Sequence, residues 1–403
     1  MTTGVKNRKI QRYDRFFMPQ EMISMLIQIR MPRQHINYFG SRGFTVHRIS
    51  DSTFRIHHHR WGSIANPETH VNEWSATALK KYFAQTYHYK NRSDNPQEEF
   101  VSILRERWFT KTDVEIVMAI YRHRVMTTSQ LAQFNFYKSK SAARLIRQRC
   151  KQMADHHVLE VFQPAVDKII GASENHYMLG EVGAYVVAKE LNRPVKEILW
   201  TPRHNEIMMH TIYHTLEINN VFMAFRAASD EIHDRIRREC KSKDEFLLKS
   251  QHAFKVLRTE TEYLISEKVE VAGENVRFNP DGLLILKKDE VVIPFFLEID
   301  RDTMELHTFA EKVSRYEAYA RSRKWEQTFD GVMPATLVVT TNEARMINLA
   351  RSVRKKQTIK AIPWMFTTLD KVKGTPLDEI WISAQDVEDE RMERYSVLSF
   401  FDQ

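Results

Sequence analysis

Apolar residues recur at helical spacing over Val114, Val117, Met118 and Tyr121, then give way to short strand-like runs before longer helical stripes return. Thr112 and Glu115 make a capping-box pattern ahead of that first stripe, and Thr127 with Gln130 repeats it ahead of Leu131 and Phe134. A third stripe, Ala142, Leu145, Ile146, Cys150 and Met153, predicts a third helix. Val158–Phe162 and Asn175–Leu179, joined by a polar loop with Lys168 and Gly171, predict a hairpin wing, and a further helix begins near Glu181. From Arg203 to His252 a wide apolar face (Met208, Ile212, Leu216, Phe222, Phe225) predicts a helical connector.

Upstream, Glu21–Ile27 reads as helix, while Phe44–Ile49 and Thr53–His57 read as a hairpin turning at Ser50–Ser52. Downstream, a helix ending near Arg258 leads to Glu262–Ser266 and then to two apolar strands separated by a charged turn. A helix over Met304–Trp325, the strand Ala335–Thr340, a helix over Glu343–Lys355 and a strand near Ile362–Phe366 complete the order. Continuous apolar strands alternating with helices indicate a buried mixed sheet covered on both faces. The fold class is therefore α/β, or α+β overall, in four parts. These are an N-terminal α+β region (1–105), a winged helix-turn-helix (106–200), the connector (201–252) and a C-terminal mixed sheet flanked by helices (253–403).

At 403 residues the chain is long enough for two or three domains, and with 42% hydrophobic residues and only 11 Gly it can bury sizeable cores. Sixty Lys+Arg against 52 Asp+Glu give a net charge of +8, which favours a polyanionic partner. Two cysteines, Cys150 and Cys240, are too few for a disulfide framework or a cysteine zinc site and fit a reducing cytosol. No 18-residue apolar run exists, and polar Asn7, Arg8, Lys9 and Gln11 occupy the place of a signal-peptide core. A cytoplasmic protein with no membrane partner is expected.

The charge is unevenly placed. Lys138, Lys140, Arg144, Arg147, Arg149 and Lys151 carry one sign over four turns with no acid between them, whereas a solvated helix face mixes both. Lys138, Ser139, Lys140 and Ser141 suit phosphate contact at the start of a reading helix, and Arg144, Arg147, Gln148 and Lys151 suit the groove that follows. Double-stranded DNA is the expected partner, against the alternative of a three-helix bundle with a solvated basic face. The connector's apolar face suits domain packing or a homodimer seam. His57, His58 and His59 alternate across a strand and cannot all meet one ion. His204, His210 and His214, lacking an HExxH acid, read as packed or interfacial histidines.

The sharpest chemical signal is Asp281, at the mouth of the strand Leu283–Leu286, with Glu298 at the end of the next strand, Phe295–Asp300. Two carboxylates leaving adjacent strands can share one hard divalent cation, Mg²⁺ or Mn²⁺, which points to phosphodiester chemistry.

From about Thr112 to Tyr319 the chain resembles the replication-relaxation family of plasmid and phage proteins. The resemblance rests on Leu131 after paired threonines, the Arg-rich third helix, Tyr177-Met178-Leu179-Gly180 leading to Gly183-Ala184, Pro280-Asp281-Gly282, Glu298-Ile299-Asp300-Arg301, Lys312 and Tyr316. The first hundred residues lie outside it. The C-terminal part resembles the PD-(D/E)xK restriction-endonuclease superfamily. Together these imply nicking or relaxation of DNA in replication or mobilisation, with replication or mobilisation proteins as further partners. The alternative is a non-catalytic, sequence-specific replication initiator or transcriptional regulator with a degenerate nuclease-like domain.

The superfamily resemblance implies Asp281 and Glu298 as metal ligands, the Ile299 carbonyl as a third, and Glu262 as an auxiliary acid. It also implies a lysine two residues after the glutamate, where this chain has Asp300. Three arrangements stay open. Lys312 reaches back from the following helix, Asp300 acts as base or ligand, or Glu298, Asp300 and Arg301 form a structural ion-pair network with Arg301 or Lys312 as partner. A tyrosine-nucleophile relaxase using Tyr316 or Tyr319 is weaker, since core tyrosines at helical spacing explain both.

Overall fold

The computed structural model describes residues 25–26, 28–30, 44–58, 62–64, 72–80, 93–106, 108–137, 139–162, 174–205, 209–271, 273–302, 305–387 and 392–402. Two compact units emerge, one of residues 1–89 with 165–172 and one of residues 90–164 with 173–403. The fold is mixed α+β, as the patterning predicts.

In the first unit β1 (Phe44–Arg48) and β2 (Thr53–His58) form the predicted hairpin, with Val46 opposite Ile56 and Arg48 opposite Phe54. β3 (Gly62–Ile64) and β4 (Trp74–Ser75) both pair with β2. Val46, Phe54 and Ile56 point inward while His47, Arg55 and His57 point out, the two-residue alternation of a half-buried sheet. His59, most of Glu21–Ile27 and the side chain of His58 lie outside the described residues.

The second unit opens with α1 (Pro96–Arg105) and α2 (Lys111–His123). α2 starts two residues earlier than a Thr112 cap would place it, because its capping box uses Thr110 and Asp113. Asp113 is the better capping acid here, since its buried carboxylate also meets the Arg149 guanidinium. β5 (Val125–Thr127) leads into α3 (Thr128–Ala132), which carries the Thr127–Gln130 box as predicted. α4 (Ala142–Asp155), β6 (Leu159–Phe162) and β7 (His176–Leu179) follow, and the three strands pair in the order β5-β7-β6. Three helices backed by this sheet have the layout of a winged helix-turn-helix. The loop with Lys168 and Gly171 lies outside the described residues.

α5 (Glu181–Glu190) follows Gly180 directly. A Cβ at Gly180 would lie 2.1 Å from the His157 carbonyl oxygen and one at Gly183 2.2 Å from that of Val158, so both glycines are required by close backbone approach. α6 (Met209–Glu239) and α7 (Lys243–Gln251) make up the connector.

β8 (Lys255–Thr261) corrects the expected helix ending near Arg258. Val256, Thr259 and Thr261 are β-branched, and pairing with β11 satisfies their backbone better than a helical turn could. A single turn, α8 (Glu262–Ile265), precedes the ribbon β9 (Glu267–Val271) and β10 (Glu274–Phe278). β11 (Gly282–Lys288) and β12 (Val291–Asp300) pair antiparallel, placing Gly282 opposite Leu297, and their turn bends at Asp289 with φ +54°. α9 (Leu306–Ser322) and α10 (Lys324–Thr328) carry the crossover to parallel β13 (Ala335–Thr340). α11 (Glu343–Lys356) carries the next crossover to β14 (Trp364–Thr368), and α12 (Leu369–Gly374) and β15 (Ile382–Ser383) close the sheet. The six strands run in the order β15-β14-β13-β12-β11-β8.

Both faces of this sheet are covered. Phe296 and Val338 pack with Tyr316 and Met346 from α9 and α11. Phe295, Leu297 and Ile299 join a core that takes in Phe225 of α6, Leu369 of α12 and Ile116, Ile120 and Ile146 of the helix-turn-helix. One apolar core thus links the helix-turn-helix to the sheet. Among the described residues no helix is long and apolar enough to cross a membrane.

Candidate functional site

Asp281 is the last of the three residues between β10 and β11, and Glu298 lies near the end of β12. Because β11 and β12 are antiparallel, the start of one and the end of the other fall at the same sheet edge. Gly282 sets the depth of that edge, since a Cβ there would lie 2.6 Å from the Phe222 ring tip on α6. The close approach lets α6 reach the site.

The two carboxylates converge. The Lys312 ammonium, on α9, donates to Glu298 Oε2 and lies 3.6 Å from Asp281 Oδ1. Tyr316, one turn on, donates its hydroxyl to Glu298 Oε1 at 2.7 Å. Asp281 Oδ2 accepts from the Ile299 backbone N–H at 2.9 Å and lies 3.3 Å from His214 Nε2 on α6. Asp281 is 6% exposed and Glu298 1%, so both charges lie away from bulk water and depend on these partners.

The electrostatics split the two acids. Burial would raise the Asp281 carboxyl, but the Lys312 charge and His214 overcome it and hold the group well below the usual carboxylate range. Burial raises Glu298, the Asp281 charge raises it further, and Lys312 and Tyr316 only partly offset this. Burial disfavours the Lys312 charge, yet the two acids outweigh that and lift its pKa. His214 is likewise lifted: Asp281 more than compensates its burial. Tyr316 is pushed well above its ordinary value by burial and by Glu298, so it stays a donor. Two acids of different proton affinity thus share one fixed ammonium.

The other predicted residues lie as follows. Glu262 is on the same edge, where its backbone N–H donates to the Asp281 carbonyl at 3.0 Å. Its side chain accepts instead from Arg124 Nη1 at 3.1 Å and Asn279 Nδ2 at 3.3 Å. Asp300 is taken up by Arg345, whose Nε and Nη2 donate at 2.8 and 3.0 Å, and by the Thr340 hydroxyl at 2.9 Å. The ion-pair arrangement around it therefore uses Arg345 of α11, whereas Arg301 pairs with Glu217 at 2.8 Å. Ile299 directs its N–H at Asp281, and a strand residue's carbonyl leaves on the same side as its N–H.

Two of these partners escaped the sequence reading. His214 reads as a packing residue on the apolar α6 stripe, yet it contacts Asp281. Arg345 lies on α11, a helix to which the sequence assigns no site role. His214 lies one turn before Ile218, whose methyl lies 3.4 Å from a Cβ placed on Gly282, and no local sequence pattern reports that approach. His204 serves locally, accepting from the Thr201 N–H at 2.9 Å, and the His210 side chain lies outside the described residues. Among the described residues no three His, Cys, Asp or Glu side chains cluster to hold a metal by themselves.

On α4, Arg144, Arg147, Gln148 and Lys151 are exposed on one side while Ile146, Cys150 and Met153 are buried on the other. Ser139, Lys140 and Ser141 are exposed just before the helix, and Lys138 lies outside the described residues. Lys151 meets Asp155 at 2.8 Å on the open surface, a weak, solvent-screened pairing. Arg149 is different. It holds buried Asp113, donates to the Trp108 carbonyl at 2.8 Å and to Gln152 at 2.7 Å, and so belongs to the fold.

The replication-relaxation profile matches residues 118–336, a span that runs from α2 through the helix-turn-helix and the Asp281–Glu298–Lys312 cluster into β13. The chain belongs to the replication-relaxation family. No curated protein and no solved structure matches it. The family span includes each residue of the acid–lysine cluster and the exposed face of α4, so both features lie in the part of the chain that defines membership.

Proposed function

We propose that this replication-relaxation protein binds duplex DNA through α4 and its wing and hydrolyses a phosphodiester bond at the Asp281–Glu298–Lys312 cluster, in plasmid or phage replication or mobilisation. The C-terminal sheet then serves as a PD-(D/E)xK-type nuclease core. The observation that carries this reading is the single ammonium of Lys312 within reach of carboxylates from two adjacent strand ends.

That geometry fits a divalent cation. Asp281, Glu298 and the Ile299 carbonyl are the oxygens that would hold Mg²⁺ or Mn²⁺ at one edge. When bound, the ion supplies Lewis acidity and a lowered pKa for water. Lys312 orients the attacking water and offsets negative charge growing on phosphate. It supplies from α9 the ammonium that Asp300 cannot. Tyr316 fixes the Glu298 carboxylate, and the Ile299 N–H with His214 fixes that of Asp281. Glu262 reaches the edge as an auxiliary acid only if released by Arg124.

Supercoiled plasmid carrying the cognate origin, incubated with purified protein and Mg²⁺ or Mn²⁺, should be converted to nicked circles. Asp281→Ala and Glu298→Ala should abolish this while leaving DNA binding intact, and nicking unchanged in both rules the site out. A second reading has its own observation, the near-complete burial of Glu298 beneath Tyr316 and Lys312. On that reading the cluster pins α9 to the sheet and the protein is a sequence-specific DNA binder. Tight binding in EDTA with no cleavage in either metal supports it.

A further inference from the structure

A cavity of about 550 Å³ lies where α2, the α3–α4 turn, α6 and the edge strand β8 meet, away from the acid–lysine cluster. Its volume is that of a small-ligand site. Arg122 from α2 and Arg226 from α6 both line it, and among the described residues neither forms an ion pair with a carboxylate. Arg258, the third arginine in the lining, is already held by Glu260 at 2.7 Å. The Arg226 guanidinium carbon stands 4.2 Å from the centre of the Phe134 ring. Burial works against its charge, Asp230 offsets part of that cost, and Arg122 adds to it. Two guanidiniums brought to one cavity without a shared acid are a standing repulsion that a bound anion relieves.

The same lining carries a flat apolar platform. Phe134 and Phe136 stack with ring centres 5.3 Å apart and an interplanar angle of 6°, and both are only partly buried. Glu115 and Glu190 line the cavity as well, but both are exposed, so screening weakens their repulsion of an anion. The walls are tied together behind the cavity, where His123 Nε2 and the Thr259 hydroxyl lie 3.0 Å apart, which gives the space a fixed shape. Bare phosphate would leave the aromatic pair unused, and an apolar ligand would leave the arginines unanswered. A ligand with one anionic end and one flat end uses both.

We propose that this cavity binds a free nucleoside phosphate, its phosphate held by Arg122 and Arg226 and its base laid against the Phe134–Phe136 pair. Binding joins α2 of the helix-turn-helix to β8, the strand that runs into Glu262 at the edge of the acid–lysine cluster. The site is independent of whether that cluster cleaves DNA.

Isothermal titration of the full chain in EDTA, with ATP, GTP, adenosine, inorganic phosphate and a single-stranded oligonucleotide as separate probes, tests this. ATP or GTP should bind in the micromolar range, with adenosine and phosphate each at least about tenfold weaker. Arg122→Gln and Arg226→Gln should each weaken nucleotide binding about tenfold, and Phe136→Ala should weaken nucleotide but not phosphate. Arg122 is exposed, so Arg122→Gln keeps the test open if Arg226→Gln misfolds. The proposal is overturned by absence of nucleotide binding at millimolar concentration, by binding that neither arginine variant changes, or by an oligonucleotide that depends on Arg122 when mononucleotides do not bind.

Discussion

The Lys312 ammonium lies 3.6 Å from Asp281 Oδ1 while donating to Glu298, so one side chain from α9 bridges two acids on neighbouring strand ends. Its removal would leave two carboxylates facing each other in the protein interior. Breaking a buried pair on one side costs about 3 to 5 kcal/mol.

Lys312→Met should therefore lower unfolding free energy by about that amount at neutral pH, read by urea denaturation. The sign of its pH dependence follows. Lys312 lowers the proton affinity of both acids, so its removal raises both folded pKa values relative to wild type and the deficit shrinks as pH falls. A loss under about 1 kcal/mol, or a deficit that grows on acidification, would show that the three groups are not coupled as the geometry indicates.

Much of this was legible in the chain and some was not, for definable reasons. The Thr127–Gln130 box, the α4 stripe and the hairpin that sets Asp281 beside Glu298 are local patterns, so sequence spacing reports them directly. β8 was misread because a short strand at a sheet edge has no period long enough to distinguish it from a helix end; its identity comes from β11. His214 and Arg345 act across the tertiary fold, and a helix periodicity says which face they occupy but not what lies opposite. Arg149 was counted with the basic face for the same reason.

That distinction gives a contrast on one helix. Arg149→Ala leaves Asp113, which is fully buried, without its guanidinium, and should cost about 3 to 5 kcal/mol of stability. Arg147→Ala, two residues earlier and exposed, should leave stability within about 0.5 kcal/mol of wild type. If α4 reads DNA, Arg147→Ala and Arg144→Ala should instead each weaken duplex binding by about 1 to 3 kcal/mol, with affinity falling steeply as salt rises. Thermal melts paired with binding isotherms at two salt concentrations separate the two effects, and a salt-independent isotherm would remove the reading helix.

Gly282 offers a packing test. Its missing Cβ admits the Phe222 ring, and overpacking at such a contact costs about 1 to 3 kcal/mol. Gly282→Ala should show that loss, and the double variant Gly282→Ala with Phe222→Leu should recover part of it by returning space to the ring tip. Equal stability of the single and double variants would mean that Phe222 is not the residue in the way.

His123 sets the acid limit of the fold. Asn219 donates its amide to the His123 and Val125 carbonyls at 3.3 and 2.6 Å, which leaves its Oδ1 to accept from His123 Nδ1–H at 2.9 Å. His123 Nε2 then accepts from the Thr259 hydroxyl at 3.0 Å, so the ring is held as one neutral tautomer. Burial, opposed in part by the Asn219 bond, brings its pKa from 6.5 down to about 4. Below 6.5 the unfolded chain takes up a proton that the folded one refuses until about pH 4, so stability is full at neutral pH and falls across that window. The total is about 3 kcal/mol at 1.36 kcal/mol per unit. His123→Asn should reduce stability at pH 7, because the ring's packing and bonds are lost, but should flatten the slope between pH 6.5 and 4. Denaturation curves at four or five pH values decide it: an unchanged slope in the variant would place the acid sensitivity in other groups.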